Sequence, residues 1–272
     1  MDKQVEVKYN AGVKAQQAGE YKKALEYYRM ALEIDKTHFE SWLNAGSIYS
    51  KLGKTKKAII CYQRAILSRP DKRAFYNLAY EYFKSEQFAE AKRILEKVLI
   101  PHPDFLEAHL LLAYTYGKLG DNKAALHSVE KALQLDSDHR GALTAKALVL
   151  FHLQQFRQCE VLVNRLIAQF PNDVVLERLK ASLLLEKDDP MASAKVLKKM
   201  VNHDPKLKIF QDSLQQSFEK NPEAKERIAK KYAEKKAEGV KSRQDLLDLS
   251  LLSFFQGDAE AAMDYLIQMQ GD

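Results

Sequence analysis

Seven histidines, two cysteines and 37 carboxylates are the groups in this 272-residue chain that would do chemistry if their spacing allowed it. It does not. None of His38, His102, His109, His127, His139, His152 and His203 lies three or four residues from another, so no helix offers the two-imidazole face that a zinc ion needs. Cys61 and Cys159 form no CxxC pair, and Cys159 falls at a place otherwise filled by buried alanine, which predicts a packed thiol rather than a nucleophile. Gly53-Lys54 has Ile48 where the first glycine of a phosphate cradle would stand, and no GxSxG or GxGxxG occurs. No spacing picks an acid/base pair out of the scattered carboxylates. The expectation is no metal, no cofactor and no enzyme.

Side chains suited to binding are better organised. Asn10, Asn44 and Asn77 are spaced by 34 and 33 residues, and an asparagine amide both donates to and accepts from a peptide backbone. Lys51, Lys84 and Lys118 recur at 33 and 34 and would form a positive strip favouring acidic side chains or a chain-end carboxylate. Tyr76, Tyr80 and Tyr114, with Tyr9, Phe83 and Phe151, supply rings of the kind that anchor interfaces.

The elements that must position these residues follow from the same period. Gly12, Gly46, Ala79, Ala113, Ala147 and Ala181 are separated by 34, 33, 34, 34 and 34 residues. Three residues on stands a large side chain (Tyr49, Tyr82, Tyr116, Leu150, Leu184), with Ala15 as the weak first member. A second small series runs through Ala24, Ala58, Ala91, Ala125, Cys159 and Ser193, and a third through Ala31, Ala65, Val98 and Ala132, degrading to Leu166 and Met200. Within a period, apolar residues return at three and four, as in Tyr21, Ala24, Leu25, Tyr28, Ala31 and Leu32, which predicts two amphipathic helices per unit. Gly19, Gly53 and Gly120 mark the turns between them, and Pro70, Pro103, Pro171 and Pro205 end the second helix. One hairpin cannot bury its apolar face alone; stacked copies can, as a curved superhelix.

These residues resemble the tetratricopeptide repeat. Trp42, Gly46, Tyr49, Ala58, Tyr62, Ala65 and Pro70 fall at the family's Trp, Gly, Tyr, Ala, aromatic, Ala and Pro. The resemblance implies an all-α, right-handed superhelical solenoid of about eight antiparallel hairpins. Six units are expected at 5–38, 39–71, 72–105, 106–139, 140–173 and 174–207, then a degenerate basic pair at 208–242 and a capping unit at 243–272. It further implies that the first helix of each unit lines a concave groove, and so that Asn10, Asn44, Asn77, Tyr76, Tyr80, Tyr114, Lys51, Lys84 and Lys118 form a peptide-binding face. The family's carboxylate clamp does not carry over: Tyr9, Val13 and Asn77 stand at three of its five places, and only Asn44 and Arg73 match.

The implied function is a non-catalytic scaffold that holds a segment of another protein. Two other readings stand beside it. Residues 220–243 hold nine Lys or Arg against four Glu in a chain whose formal charge is +6, which would suit nucleic acid or an acidic protein, although a solvated helix interleaved with Glu226, Glu234 and Glu238 is the plainer account. Residues 246–255 are apolar nearly all round and must be covered by neighbouring helices or by a second copy of the chain. The apolar stretches at 110–114 and 147–151 fall short of the ~18 residues that span a bilayer, so no membrane insertion is expected. A charged beginning (Asp2, Lys3, Glu6) and unpaired cysteines make the cytoplasm the expected compartment.

Overall fold

The computed structural model describes residues 3–186, 196, 222–240, 242–255 and 258–268, and all the regular structure among them is helical. The chain divides into two compact units, Met1–Gln155 and Phe156–Asp272.

The first unit holds α1 (Lys3–Gln17), α2 (Tyr21–Ile34), α3 (Phe39–Lys51), α4 (Thr55–Ser68), α5 (Lys72–Lys84), α6 (Phe88–Leu99), α7 (Leu106–Lys118), α8 (Asn122–Leu135) and α9 (Arg140–His152). Helices α1/α2, α3/α4, α5/α6 and α7/α8 pair as antiparallel hairpins, and each second helix packs on the first helix of the next hairpin. The first helices also touch one another, α3 with α5, α5 with α7 and α7 with α9, whereas no successive second helices are in comparable contact. That asymmetry puts the first helices on the inner side of this unit's curvature.

Local chemistry sets the helix ends. His38, Asp71, Asp121 and His139 each precede a helix and accept a hydrogen bond from one of its first free backbone amides. The turns within hairpins close through a left-handed residue: Gly19, Gly53 and Gly120 at φ of 77°, 69° and 81°, and, unforeseen from the sequence, Glu86 at 61°; Gln154, after α9, is left-handed too at 58°. Among the described residues the small series are buried, with Ala24, Ala58, Ala91 and Ala125 fully enclosed. Gly12 and Gly46 have a specific cause. A Cβ at either position would stand 2.6 Å from the ring of Tyr28 or Tyr62 on the partner helix, so only glycine lets that ring lie flat on the backbone.

The second unit holds α10 (Phe156–Gln169), α11 (Val174–Leu185), α12 (Pro222–Glu238), α13 (Arg243–Phe255) and α14 (Ala259–Gln268). Helix α10 packs on α11, and α13 is flanked by α12 and α14. Lys235 of α12 reaches Asp245 and Asp248 of α13 at 2.7 and 3.4 Å. The Tyr232 and Tyr265 hydroxyls meet at 3.3 Å, and Ser250 donates to the Ala262 carbonyl at 2.7 Å. The apolar segment at 246–255 is thus covered on two sides. Residues 187–195 and 197–221, which carry the expected second helix of the sixth repeat and the first of the degenerate pair, lie outside the described residues, as do Gly257 and Met269.

Candidate functional site

The inner face of the first unit is built from α1, α3, α5, α7 and α9, and the asparagine, tyrosine and lysine series all stand on these helices. Their members do different things there.

Asn10 is exposed, Asn77 is half-buried, and neither amide has a hydrogen-bond partner among the described residues. Asn44 is occupied. Its Nδ2 donates to the Tyr9 hydroxyl at 3.2 Å and the Tyr28 hydroxyl at 3.4 Å, and Tyr28 in turn donates to Gln16 Oε1 at 2.7 Å. Burial pushes the Tyr28 phenol up to about 12 and also raises that of Tyr9, so both hydroxyls keep their protons and the chain of bonds persists at neutral pH. The middle rung of the asparagine series is therefore a fixed part of the wall.

The rings sort by depth. Tyr9 packs on Tyr28 and His38 at ring-centre distances of 5.9 and 5.2 Å, and Phe83 packs edge-on against Phe88 at 5.4 Å, so both are partly buried rings resting on the core. Tyr76 is half-buried, stacked on Tyr80 at 6.5 Å and tilted against Phe105 at 5.6 Å. Tyr80 and Tyr114 remain 43% and 40% exposed. Burial of the rest of Tyr114 raises its phenol pKa, as it does for Tyr76.

The lysines do not form a uniform strip. Lys51 lies over the Tyr21 ring at 5.4 Å and Lys118 is exposed with no partner among the described residues. Lys84 lies over Tyr80 at 5.7 Å and pairs at 3.4 Å with Glu81, whose side chain is fully buried. Glu81 Oε1 also accepts from the Ser50 hydroxyl of the preceding hairpin, while Oε2 is buried without a hydrogen-bond partner. This contact between hairpins was missed at the level of sequence, where Glu81 passes for a surface acid. The register itself carries the signal: Ile48, Thr115 and Val149 stand at the same place in their helices and are all buried.

Between α1, the start of α2 and α3 lies an open hollow of about 600 Å³, lined by Gln16, Gln17, Asn44, Ser47, Ser50 and Lys51 over Val13, Ile48, Gly19 and Tyr21. It exists because α3 presents Ser47 and Ser50 where α5 presents Tyr80 and Phe83.

Among the described residues no group of three or more His, Cys, Asp or Glu converges on a possible metal position, and no helix is long and apolar enough to cross a membrane. Neither cysteine is in a disulfide and both are buried, and burial pushes the Cys61 thiol up to about 11, far from nucleophilic. Arg73, one of the two clamp matches, is held by Asp71 and Glu40 at 3.1 Å each.

Models of the tetratricopeptide repeat match residues 5–38, 39–72, 73–99 and 118–183, more than half the chain. The chain belongs to the tetratricopeptide repeat family. Its tetratricopeptide repeats are similar to those of the repeat-containing protein trd-1 of Caenorhabditis elegans, 29% identical over 126 residues covering 45% of this chain and 16% of that protein. They are also similar to the BBSome complex member BBS4 of Bos taurus, 26% identical over 210 residues covering 73% and 40%. The chain thus spans well under half the length of either relative. In fold it resembles a tetratricopeptide repeat protein from Parabacteroides merdae, at 16% identity, a TM-score of 0.70, and coverage of 99% of this chain and 93% of that one. Membership brings the family's general role, a scaffold for protein or peptide partners.

Proposed function

We propose that the inner face of α1–α8 holds an extended or short helical segment of another protein, without catalysis. The observation that carries this reading is the pair Tyr80 and Tyr114: two large rings on successive inner helices, each about two-fifths exposed, where the same place in the first two hairpins holds Val13 and Ser47. Half-desolvated tyrosines flanked by amides are well suited to gripping a partner, because their area is large and few torsions are frozen on binding. Asn77 on α5 and Asn10 on α1 add unused backbone-reading groups to the inner face. One similar protein, BBS4, is by its name a member of a complex, which fits a scaffold. The same proposal places the chain in the cytoplasm, where cysteines outside any disulfide stay reduced.

The basic helix α12 supports a nucleic-acid role less well. Lys235 is engaged by two aspartates and Lys236 lies over the Tyr232 ring at 5.5 Å.

The test is affinity capture from lysate with the intact chain, the Tyr80→Ala/Tyr114→Ala variant and a Leu67→Ser/Ile100→Ser control, on α4 and just past the end of α6. Loss of a captured partner by at least tenfold with the tyrosine variant alone is expected, at unchanged helical circular dichroism. Equal capture by the tyrosine variant would move the partner off the inner face. Asn10→Ala/Asn77→Ala serves as the milder probe; Asn44 is avoided because its removal frees the Tyr9 and Tyr28 hydroxyls.

A further inference from the structure

We infer that the edge of the first two hairpins formed by their internal turns is a docking surface for an anionic membrane, on which the chain lies without entering the bilayer. Residues 17–23 and 51–57 hold six lysines (Lys22, Lys23, Lys51, Lys54, Lys56 and Lys57) against the single acid Glu20. The two turns adjoin, because the Lys51 ammonium lies over the Tyr21 ring at 5.4 Å. The equivalent turns of the next two hairpins differ: 84–90 carries one lysine and two glutamates, and 118–124 two lysines and one aspartate. The positive charge is therefore local to one edge of one pair of hairpins.

Helix stability does not account for it. The N-terminal end of a helix carries a partial positive charge and favours acids in its first turn. Helix α6 follows that rule with Glu90, and α8 with the capping Asp121, which accepts from the Ala124 amide at 3.0 Å. Helices α2 and α4 break it. Neither has an acid in its first turn or a side-chain cap, Lys54 stands at the cap position itself, and α4 has no acid anywhere along its length. The backbone thus adds to the field of the lysines instead of offsetting it.

Pairing does not account for it either. All six lysines are exposed. Lys23 pairs with Glu20 at 3.0 Å, and Lys51 and Lys57 lie over the Tyr21 and Tyr49 rings, which leaves their charge intact. Lys22, Lys54 and Lys56 have no partner among the described residues. Glu81, bonded to Ser50 near the end of α3, is enclosed and already paired with Lys84. At the opposite edge, where one hairpin joins the next, the cations are spoken for: Arg69 and Arg73 are both held by Glu40 and Asp71.

The chemistry favours a lipid surface over a polynucleotide. The two turns hold no arginine, whose planar fork grips one phosphate in two places, and their one ring, Tyr21, is half-buried beneath Lys51 and offers no face on which a base could stack. Flexible ammonium groups at the tips of turns suit a plane of diffuse negative charge. Leu52, 41% exposed between Lys51 and Lys54, gives the same edge an apolar tip that the headgroup region can take up. The surface involves neither Tyr80 nor Tyr114, so it goes beyond the groove proposed above and stands or falls separately.

The test is co-sedimentation of the intact chain with large vesicles of phosphatidylcholine, alone or with about 30% phosphatidylserine, at roughly 0.1 M salt. The anionic vesicles should bind at least tenfold more tightly than the neutral ones, and about 0.5 M salt should release the chain. Lys22→Glu/Lys56→Glu should weaken that binding at least fivefold without lowering the thermal midpoint, because acids suit these helix ends. Lys230→Glu/Lys231→Glu on α12, the same change of charge in the other unit, should retain most of the binding. Leu52→Ser should weaken it less than the lysine variant does and leave its salt dependence unchanged. The surface is refuted if the chain does not prefer anionic vesicles, if Lys22→Glu/Lys56→Glu binds as the parent does, or if the α12 variant loses as much. A uridine oligonucleotide shifted through Lys22 and Lys56, with anionic vesicles left unbound, would also overturn it and assign the edge to nucleic acid. Tyr80→Ala/Tyr114→Ala should sediment with vesicles as the parent does, and Lys22→Glu/Lys56→Glu should still capture the groove's partner, so failure of one reading is distinguishable from failure of the other.

Discussion

The first two hairpins and the next two share a backbone plan but place their bulk differently. In α1/α2 and α3/α4 a tyrosine, Tyr28 or Tyr62, lies buried on a glycine of the facing helix, and the inner face carries small polar groups around a hollow. In α5/α6 and α7/α8 the glycine becomes Ala79 or Ala113, the corresponding residues on the second helix are Leu95 and Val129, and the tyrosines, Tyr80 and Tyr114, stand on the inner face. The lesson is that helix spacing tolerates either arrangement provided the volumes at the close approach are matched, which leaves the inner surface to vary from one hairpin to the next.

The largest expected effect breaks that match. Gly46→Ala drives a methyl to 2.6 Å from the Tyr62 ring and should cost about 2 kcal/mol in denaturant unfolding. Adding Tyr62→Leu, which imitates the third hairpin, should restore most of it; a double variant no more stable than Gly46→Ala would show the two sites to be independent. Next is the joint between the two regions. Ser50→Ala removes the hydroxyl donor from a buried carboxylate and should cost about 1–3 kcal/mol, although alanine is the better helix former. Ser47→Ala, three residues away and exposed, should change the midpoint little.

His38 caps α3 where Asp71 caps α5, and the two differ in their response to pH. The His38 Nδ1 accepts from the Ser41 amide, a role open only to the neutral ring, and burial holds its pKa below 6.5. The unfolded chain therefore binds a proton at pH values where the folded chain does not. The stabilisation is whole above pH 6.5 and is lost as the pH falls through the lower folded value. Thermal melts from pH 7.5 to 5 should show a steeper decline for the parent than for His38→Asn, whose amide caps at every pH; the cap is worth about 1 kcal/mol. The smallest effect sharpens the comparison of turns. Glu86 holds at φ of 61° the conformation that Gly53 and Gly120 adopt freely, so Glu86→Gly should stabilise the chain by roughly 0.5–1 kcal/mol, read as a raised midpoint temperature.

The period of 33 and 34 residues made the hairpins and their turns legible, because small residues at fixed intervals have few other uses. The identity of the inner helices came from the family likeness rather than from the spacing. Three things did not show. Tyr28 and Tyr62 look like any aromatic on an amphipathic face until the glycine beneath them is seen. Asn44 shares the pattern of Asn10 and Asn77, yet two phenols within reach remove it from the free surface. Lys84 repeats with Lys51 and Lys118 while lying beside a buried acid that the helical pattern alone does not reveal.

That acid gives the repetition a direction. Glu81 needs a hydroxyl from the hairpin before it, and Ser50 provides one. Were the third and fourth hairpins to trade places, Glu81 would face the position of Gly117, which has no side chain, while Ser50 would neighbour Thr115, whose hydroxyl is already bonded to its own helix at Leu111. An array built from near-copies is thus keyed at one seam, and shuffling its modules would strand a carboxylate in the dark.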